Sequence, residues 1–169
     1  MSDAGKNQAK PLWNSSAKSA SLRKWAEHLH KEAKRVFLLD KTHAHILFAF
    51  QDSGPVSITP IPPNTDHAQV QAAIRSAVRK DHFYGVIHVG EAWTYFSNGK
   101  KDHTAVQLLA GEMKVSDLKD ADKTECLYLK MESRDGDGVI YLDRIVRTEG
   151  RVGLGDGRMI EGEKPTWFG

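Results

Sequence analysis

The sequence contains a single cysteine, no long apolar run and almost no excess of either charge. Cys126 has no second cysteine with which to form a disulfide within the chain, which favours a reducing compartment. No apolar run approaches the roughly 20 residues that a membrane-spanning helix requires, and residues 1–6 lack the apolar core of a signal peptide. We therefore expect a cytoplasmic protein that does not span a membrane.

The sequence also lacks a complete catalytic or cofactor motif. It contains no Gly-x-Ser-x-Gly elbow, no Cys-x-x-Cys pair and no phosphate-binding loop with its Lys-Ser/Thr ending. The chain carries 24 Lys and Arg against 22 Asp and Glu, a formal net charge of +2 at pH 7, which is too balanced to indicate nucleic-acid binding by itself. We predict no cofactor from these observations.

The 169 residues and a hydrophobic fraction of 40% favour one globular domain. Residues 1–18 are rich in Ser, Lys, Asn and Ala, and we expect them to form a flexible tail, with Trp13 docking on the domain or on a partner. Residues 19–169 then form the domain.

Hydrophobic periodicity predicts two helices and several strands in that domain. An apolar stripe predicts the first helix, which Ser19 or Ser21 would cap, and Asn64-Thr65-Asp66 would cap the second. The predicted strands are 43–51, 56–60, 83–96, 125–133, 139–147 and a short edge strand at 151–154.

Segment 97–124 is polar and poorly periodic, and we interpret it as a long mobile excursion with a short helix at 106–113. The tight turns between strands imply mainly antiparallel pairing. The sequence therefore predicts an α+β fold with two helices packed on one face of an antiparallel sheet.

Glu91 is the strongest candidate site residue, because it lies among apolar residues in the middle of a predicted strand. Its neighbours on the same side of the strand are Ile87, Val89, Trp93 and Tyr95. Desolvating an isolated carboxylate is costly, so Glu91 needs a positive or hydrogen-donating partner. Glu91 is therefore either part of a structural ion pair or a site residue with a perturbed pKa.

Other residues complete this candidate binding site. Arg144 and Arg147, on a predicted late strand, are the expected partners of Glu91. Trp93 lies on the same side as Glu91, and His88 lies on the same strand but on the opposite face.

The pair His43 and His45 is a weak candidate for a metal site, because residues two apart on a strand point to one side. The pattern resembles the metal-binding loop of deubiquitinase-like metalloproteases. However, Asp52 follows too closely, and Ile46 stands where that loop has proline. Surface histidines at a strand edge are the alternative interpretation.

The segment Gly90-Glu91-Ala92-Trp93, at the end of an apolar strand, resembles a motif in a loose group of uncharacterised bacterial and bacteriophage proteins. In that group a Glu-headed strand, an Asp-Gly hairpin and an Ile-x-Arg segment follow. The corresponding residues here are Glu125, Asp135-Gly136, Ile145-Val146-Arg147 and Leu154-Gly155. The resemblance covers residues 43–155 and implies no activity for Glu91.

Three functions remain open at this point. The first is a non-enzymatic binding protein of a phage or mobile element, which engages a protein or small ligand. The second is a hydrolase, with or without a metal ion, that uses Glu91 with a histidine such as His43, His45 or His88.

The third function is nucleic-acid binding. Arg75, Arg79 and Lys80 form a basic cluster in the second predicted helix, and the tail adds Lys6, Lys10 and Lys18. An uncovered edge strand would also allow a homo-oligomer.

Overall fold

The computed structural model describes residues 10–97, 102–162 and 166–168. Three helices and six strands follow one another along these ranges: α1 (Lys18–Asp40), β1 (Ile46–Gln51), β2 (Gly54–Pro60), α2 (His67–Asp81), β3 (Gly85–Thr94), α3 (His103–Leu109), β4 (Thr124–Ser133), β5 (Gly138–Thr148) and β6 (Arg151–Glu161). Two short 3-10 turns, Val115–Asp117 and Asp120–Asp122, precede β4. Among the helices of these ranges, none has the length and apolarity to cross a membrane.

The six strands form one sheet in the order β2-β1-β3-β4-β5-β6, and each neighbouring pair is antiparallel. Consecutive strands are neighbours except where α2 intervenes, and β3 and β4 are neighbours although α3 lies between them in the chain. The strands β2 and β6 are the edges, and every residue of β2 after Gly54 is exposed. The predicted α+β fold with a mainly antiparallel sheet is confirmed.

The two long helices lie on opposite faces of the sheet, so the prediction that both pack on one face is wrong. Ile87 and Val89 belong to the core cluster of α1, which contains Leu22 and Phe37. Val86 belongs to a second cluster with Ile74 and Val78 of α2, and successive residues of a strand point to opposite faces. The reason is that β3 is buried on both faces, so each face needs its own cover.

The helix ends show which side chains act as caps. Asp66 caps α2 as predicted, because its carboxylate accepts a hydrogen bond from the backbone N–H of Ala68 at 3.3 Å. The predicted Ser caps of α1 are wrong, because α1 already begins at Lys18 and has no side-chain cap. Ser21 instead exchanges hydrogen bonds with the backbone of Asn14.

Residues 10–17, which the predicted tail includes, are placed by Trp13. Its ring stacks on Phe50 with centroids 5.7 Å apart, and its indole N–H donates to the backbone oxygen of Asp52 at 2.9 Å. Lys18 also pairs with Asp52 at 2.9 Å. Residues 1–9, with Lys6, lie outside the described residues.

The strand β6 is much longer than the edge strand predicted at 151–154. Gly155 and Gly157 give little strand propensity, which hides the strand from pattern analysis. In the structure they allow close packing, since a β-carbon at Gly157 would lie 2.6 Å from a carboxylate oxygen of Asp143. The turn between β4 and β5 forms at the predicted Asp-Gly pair, with Gly136 at φ 86°.

Segment 97–124 contains α3, which begins three residues before the predicted helix and is capped by Asp102. The Asp102 carboxylate accepts from the backbone N–H of Ala105 at 3.0 Å and hydrogen-bonds the hydroxyl of Tyr95. These contacts tie α3 to the residues that follow β3. Residues 98–101 of this predicted excursion lie outside the described residues.

Candidate functional site

Glu91 lies near the end of β3, half-buried on the face that α1 covers. It pairs with Leu127 of β4, and the strand alternation places it beside Val89. Its Oε2 accepts a long hydrogen bond of 3.4 Å from Thr42. Its Oε1 is buried and has no hydrogen-bond donor among the described residues. Glu91 is therefore a partly desolvated carboxylate with an unused acceptor.

The surroundings raise the pKa of Glu91 above its ordinary value. Burial is the largest cause, and the negative charge of Glu125 adds to it. The nearby charge of Arg147, the hydroxyl of Thr42 and the charge of His43 oppose this rise without cancelling it. Keeping Glu91 ionised therefore costs free energy, and a hydrogen-bond donor from another molecule would reduce this cost.

Neither of the arginines expected beside Glu91 forms a hydrogen bond with it. Arg147 donates two hydrogen bonds to Glu125, at 2.9 Å from Nε and 2.6 Å from Nη2. Arg144 donates to Asp156 at 3.0 Å, and its pairing with Cys126 places it on the other face of the sheet. Only Arg147 is close enough for its charge to act on Glu91.

Trp93 stands two residues beyond Glu91 on the same face. It stands opposite Glu125 of β4 in the sheet, and 45% of its surface is exposed. The Nζ of Lys123 lies 4.6 Å from the centre of its ring, which is a cation–π contact. We call Glu91, Trp93, Lys123, Glu125 and Arg147 the Glu91 surface.

His88 is buried on the opposite face of β3 and does not meet Glu91. Its Nε2 lies 3.2 Å from the Nδ1 of His45, and its Nδ1 is buried without a partner among the described residues. Burial lowers the pKa of His88 to about 3, with smaller contributions from the charges of His45, His67 and Lys130. Both imidazoles are therefore uncharged at neutral pH, since burial lowers the pKa of His45 as well.

The other histidine candidate, His43, uses its Nδ1 in a 2.6 Å hydrogen bond with the backbone oxygen of Ala44. It lies near enough to Glu91 for its charge to act on the carboxylate, but no hydrogen bond joins the two. Within the described ranges, no group of three or more His, Cys, Asp or Glu side chains is arranged to hold a metal ion.

Two buried carboxylates escaped the sequence analysis. Glu132 of β4 is 3% exposed and faces α2, where it accepts hydrogen bonds from Thr166 and Trp167. Asp143 of β5 is 4% exposed and faces α1, where it hydrogen-bonds His30 and lies 3.8 Å from the Nζ of Lys34. Both acids have partners, so both are structural.

The basic cluster of the sequence analysis lies on the exposed side of α2. Arg75, Arg79 and Lys80 are all exposed and form no ion pair with a described carboxylate. A small cavity of about 200 Å³ opens beside Arg79, between the end of α2, the end of β4 and Trp167. Arg79 thus adjoins this cavity without an ion pair to a described carboxylate.

Comparisons with known proteins give one match. The family model described as bacteriophage lambda protein ea47 matches residues 2–168, nearly the whole chain. This match confirms the resemblance to bacteriophage proteins. No curated protein and no solved structure shows significant similarity to the chain.

Proposed function

The chain belongs to the bacteriophage lambda protein ea47 family, and we propose that it is a binding protein whose contact surface is centred on Glu91. The partner is a protein segment that presents a lysine or arginine side chain. The buried Oε1 of Glu91, which lacks a donor among the described residues, is the observation that carries the proposal. We also propose a cytoplasmic location, because a single buried cysteine suits a reducing compartment.

The carboxylate of Glu91, which has no ion pair with a described side chain, favours a cationic partner. Arg147 is bound to Glu125 through two hydrogen bonds, which leaves the charge of Glu91 without a direct ion pair. A guanidinium or ammonium group that pairs with the half-buried carboxylate of Glu91 would offset the cost of its desolvation. An anionic partner would find both cations of this surface already engaged, Arg147 by Glu125 and Lys123 by Asp120 and the ring of Trp93.

Trp93 supplies the apolar part of the same surface. Exposed tryptophan is enriched among the residues that dominate protein interfaces, because it buries a large rigid area. An arginine that binds Glu91 can also stack on this ring by taking the place of Lys123, whose ammonium makes a cation–π contact with it. The surface therefore combines one unpaired acceptor with one aromatic platform.

The proposal can be tested by panning a random peptide library on immobilised full-length protein. We expect selected peptides to be enriched in Arg or Lys, and we expect this enrichment to disappear with Glu91→Gln, which keeps the shape but removes the charge. Glu112→Gln is the matched control, because Glu112 is exposed in the segment after α3. Affinities of the selected peptides are then measured by calorimetry.

Three results would count against the proposal. One is enrichment of acidic or uncharged peptides on the unmodified protein. The second is equal affinity of the selected peptides for the unmodified protein and the Glu91→Gln variant. The third is a loss of affinity in Glu112→Gln as large as that in Glu91→Gln.

A further inference from the structure

The helix α2 carries a stripe of positively charged and imidazole side chains beside its buried stripe. Arg75, Arg79 and His82 follow one another at intervals of four and three residues, so they lie along one side of the helix and its C-terminal cap. Ile74 and Val78, each one position earlier than an arginine, are buried against the sheet. The stripe therefore runs along the border between α2 and the sheet.

This stripe has no acidic partner among the described residues, in contrast to most of the other arginines. Arg23, Arg35, Arg134, Arg144 and Arg147 each bind a carboxylate at 3.0 Å or less. Leaving Arg75 and Arg79 unpaired keeps a positive potential at one place on a molecule of nearly balanced charge.

The stripe leads into the cavity at the end of α2. The cavity has a volume of about 200 Å³ and brings two arginines and a histidine together with aromatic rings: Arg79, His82, Arg134, Phe83, Trp167 and Phe168. This volume is below the roughly 300 Å³ at which pockets for drug-sized ligands begin, so the cavity encloses a small group or one part of a larger ligand.

Arg134, the second arginine that lines the cavity, has its guanidinium fixed by residues outside the lining. It binds Asp52 at 2.6 Å and lies over the ring of Tyr84, 5.5 Å from its centroid. Asp52 also binds Lys18, so one carboxylate serves two cations and the group keeps a net positive charge. Arg134 can therefore attract an anion without first leaving Asp52.

We propose that this cavity binds one nucleoside phosphate unit, with the phosphate between Arg79 and Arg134 and the base against Phe83 and Phe168. Guanidinium groups match phosphate geometry, and every base has a face that stacks on an aromatic ring. The carbonyl end of α2 opposes an anion with about half an elementary charge, which two guanidinium groups exceed.

The nucleoside phosphate has two possible sources, a free nucleotide or one unit of a single strand. Arg75 lies one helical turn before Arg79, outside the residues that line the cavity. In a strand it would contact the neighbouring phosphate, whereas a free nucleotide would leave it unused. Comparing Arg75→Gln with Arg79→Gln therefore separates the two sources.

The test uses fluorescence anisotropy of a labelled single-stranded thymidylate oligomer of about 12 nucleotides, a length within the site sizes of single-strand binders. The salt concentration is varied from about 50 mM to about 200 mM. We expect Arg79→Gln to lose about tenfold in affinity and to reduce the slope of log affinity against log salt by about 0.7.

Phe168→Ala should also lose about tenfold, with the salt slope unchanged, because it removes stacking and no charge. Phe168→Leu keeps more of the packing and serves if Phe168→Ala alters the circular dichroism spectrum. Arg151→Gln is the matched charge control, because Arg151 is exposed at the start of β6 and forms no ion pair with a described carboxylate.

Competition between the labelled oligomer and thymidine monophosphate distinguishes a free nucleotide from one unit of a strand as the natural ligand. Displacement of the oligomer by the mononucleotide, with no effect of Arg75→Gln, supports a free nucleotide in the cavity. Weak displacement together with an effect of Arg75→Gln supports a strand. The inference is overturned by no binding at about 50 mM salt, by equal losses in Arg79→Gln and Arg151→Gln, by equal affinity for a duplex, or by tighter binding of a phosphotyrosine peptide.

Discussion

Glu132 accepts a hydrogen bond from the backbone N–H of Trp167 at 2.9 Å, and this contact fixes Trp167 at the end of β4, a central strand of the sheet. The same carboxylate accepts from the N–H and hydroxyl of Thr166, at 2.8 and 2.6 Å, and pairs with Lys130 at 3.0 Å. Burial alone would raise the pKa of Glu132, but these donors outweigh it and lower the pKa below its ordinary value. The buried acid thus contributes stability at neutral pH that is lost as pH falls below the ordinary carboxylate range.

Glu132→Ala should lower the free energy of unfolding by about 3–5 kcal/mol, because it leaves the largely buried side chain of Lys130 without its charge partner. It also leaves two backbone N–H groups without acceptors. Urea denaturation followed by circular dichroism measures the change. Glu149→Ala, at an exposed turn position, should stay within about 0.5 kcal/mol, and a loss in Glu132→Ala no larger than this would contradict the account.

Trp13→Ala should destabilise the protein by about 3 kcal/mol, since the variant loses ring packing on Phe50 and the hydrogen bond to Asp52. Leu12→Ala provides the neighbouring control, because Leu12 is 90% exposed and should change the stability by less than about 0.5 kcal/mol. Both values come from urea denaturation. Similar small effects of the two substitutions would show that residues 10–17 behave as the flexible tail that the sequence predicts.

The free energy of unfolding should fall as pH decreases from 7 to 5, because His88 has a pKa of about 3 in the fold and 6.5 when unfolded. Below pH 6.5 the unfolded chain binds a proton that the folded chain does not, so the depressed pKa costs about 2 kcal/mol by about pH 5.

His88→Phe should reduce the slope of the free energy of unfolding against pH between pH 7 and 5, whatever it does to the stability at pH 7. His103→Gln, which changes an exposed histidine of α3, should keep the full slope. The measurement is urea denaturation at several pH values. An identical pH dependence in His88→Phe and the unmodified protein would exclude His88 as the cause.

Glu91→Gln and Glu125→Gln should differ in their effects on stability, although the two carboxylates lie close together. Glu91→Gln removes a desolvated charge without an ion pair, so the stability should stay within about 0.5 kcal/mol or rise. Glu125→Gln breaks the two hydrogen bonds with Arg147 and should lose about 0.5–1 kcal/mol, a small value because Arg147 is half-exposed. Thermal unfolding at neutral pH measures the stability of the two variants. A clear loss of stability in Glu91→Gln would argue that Glu91 has a structural role.

Local patterns in the sequence predicted most elements of the fold but not the faces on which they pack. The stripe that ends in Ile74 and Val78 shows that α2 buries one side, yet it does not say against which face of the sheet. The apolar residues on both sides of β3 contain that information, because a strand buried on both faces must be covered on both.

Of the candidate site, the sequence indicates only the surroundings that Glu91 has on its own strand. The apolar neighbours of Glu91 correctly indicated a desolvated carboxylate, since they adjoin it on the same strand. The burial of Glu132 depends on Trp167, which lies 35 residues further along the chain. The single sequence contains no local signal for such a contact, and the same holds for the cavity between Arg79 and Arg134.

The exposed edge strand β2 has a consequence for self-association. Ile61 donates to the backbone oxygen of His45 at 2.8 Å, and hydrogen-bonded pairs alternate along an antiparallel ladder, so Ile58 and Pro60 direct their backbone groups outward. Pro60 has no N–H to offer, and a bulge interrupts the regular pairing near Val56. A strand added by another molecule would find a single regularly placed backbone donor on β2, the N–H of Ile58. Edge-to-edge pairing of sheets is therefore discouraged, although β2 carries no charged side chain.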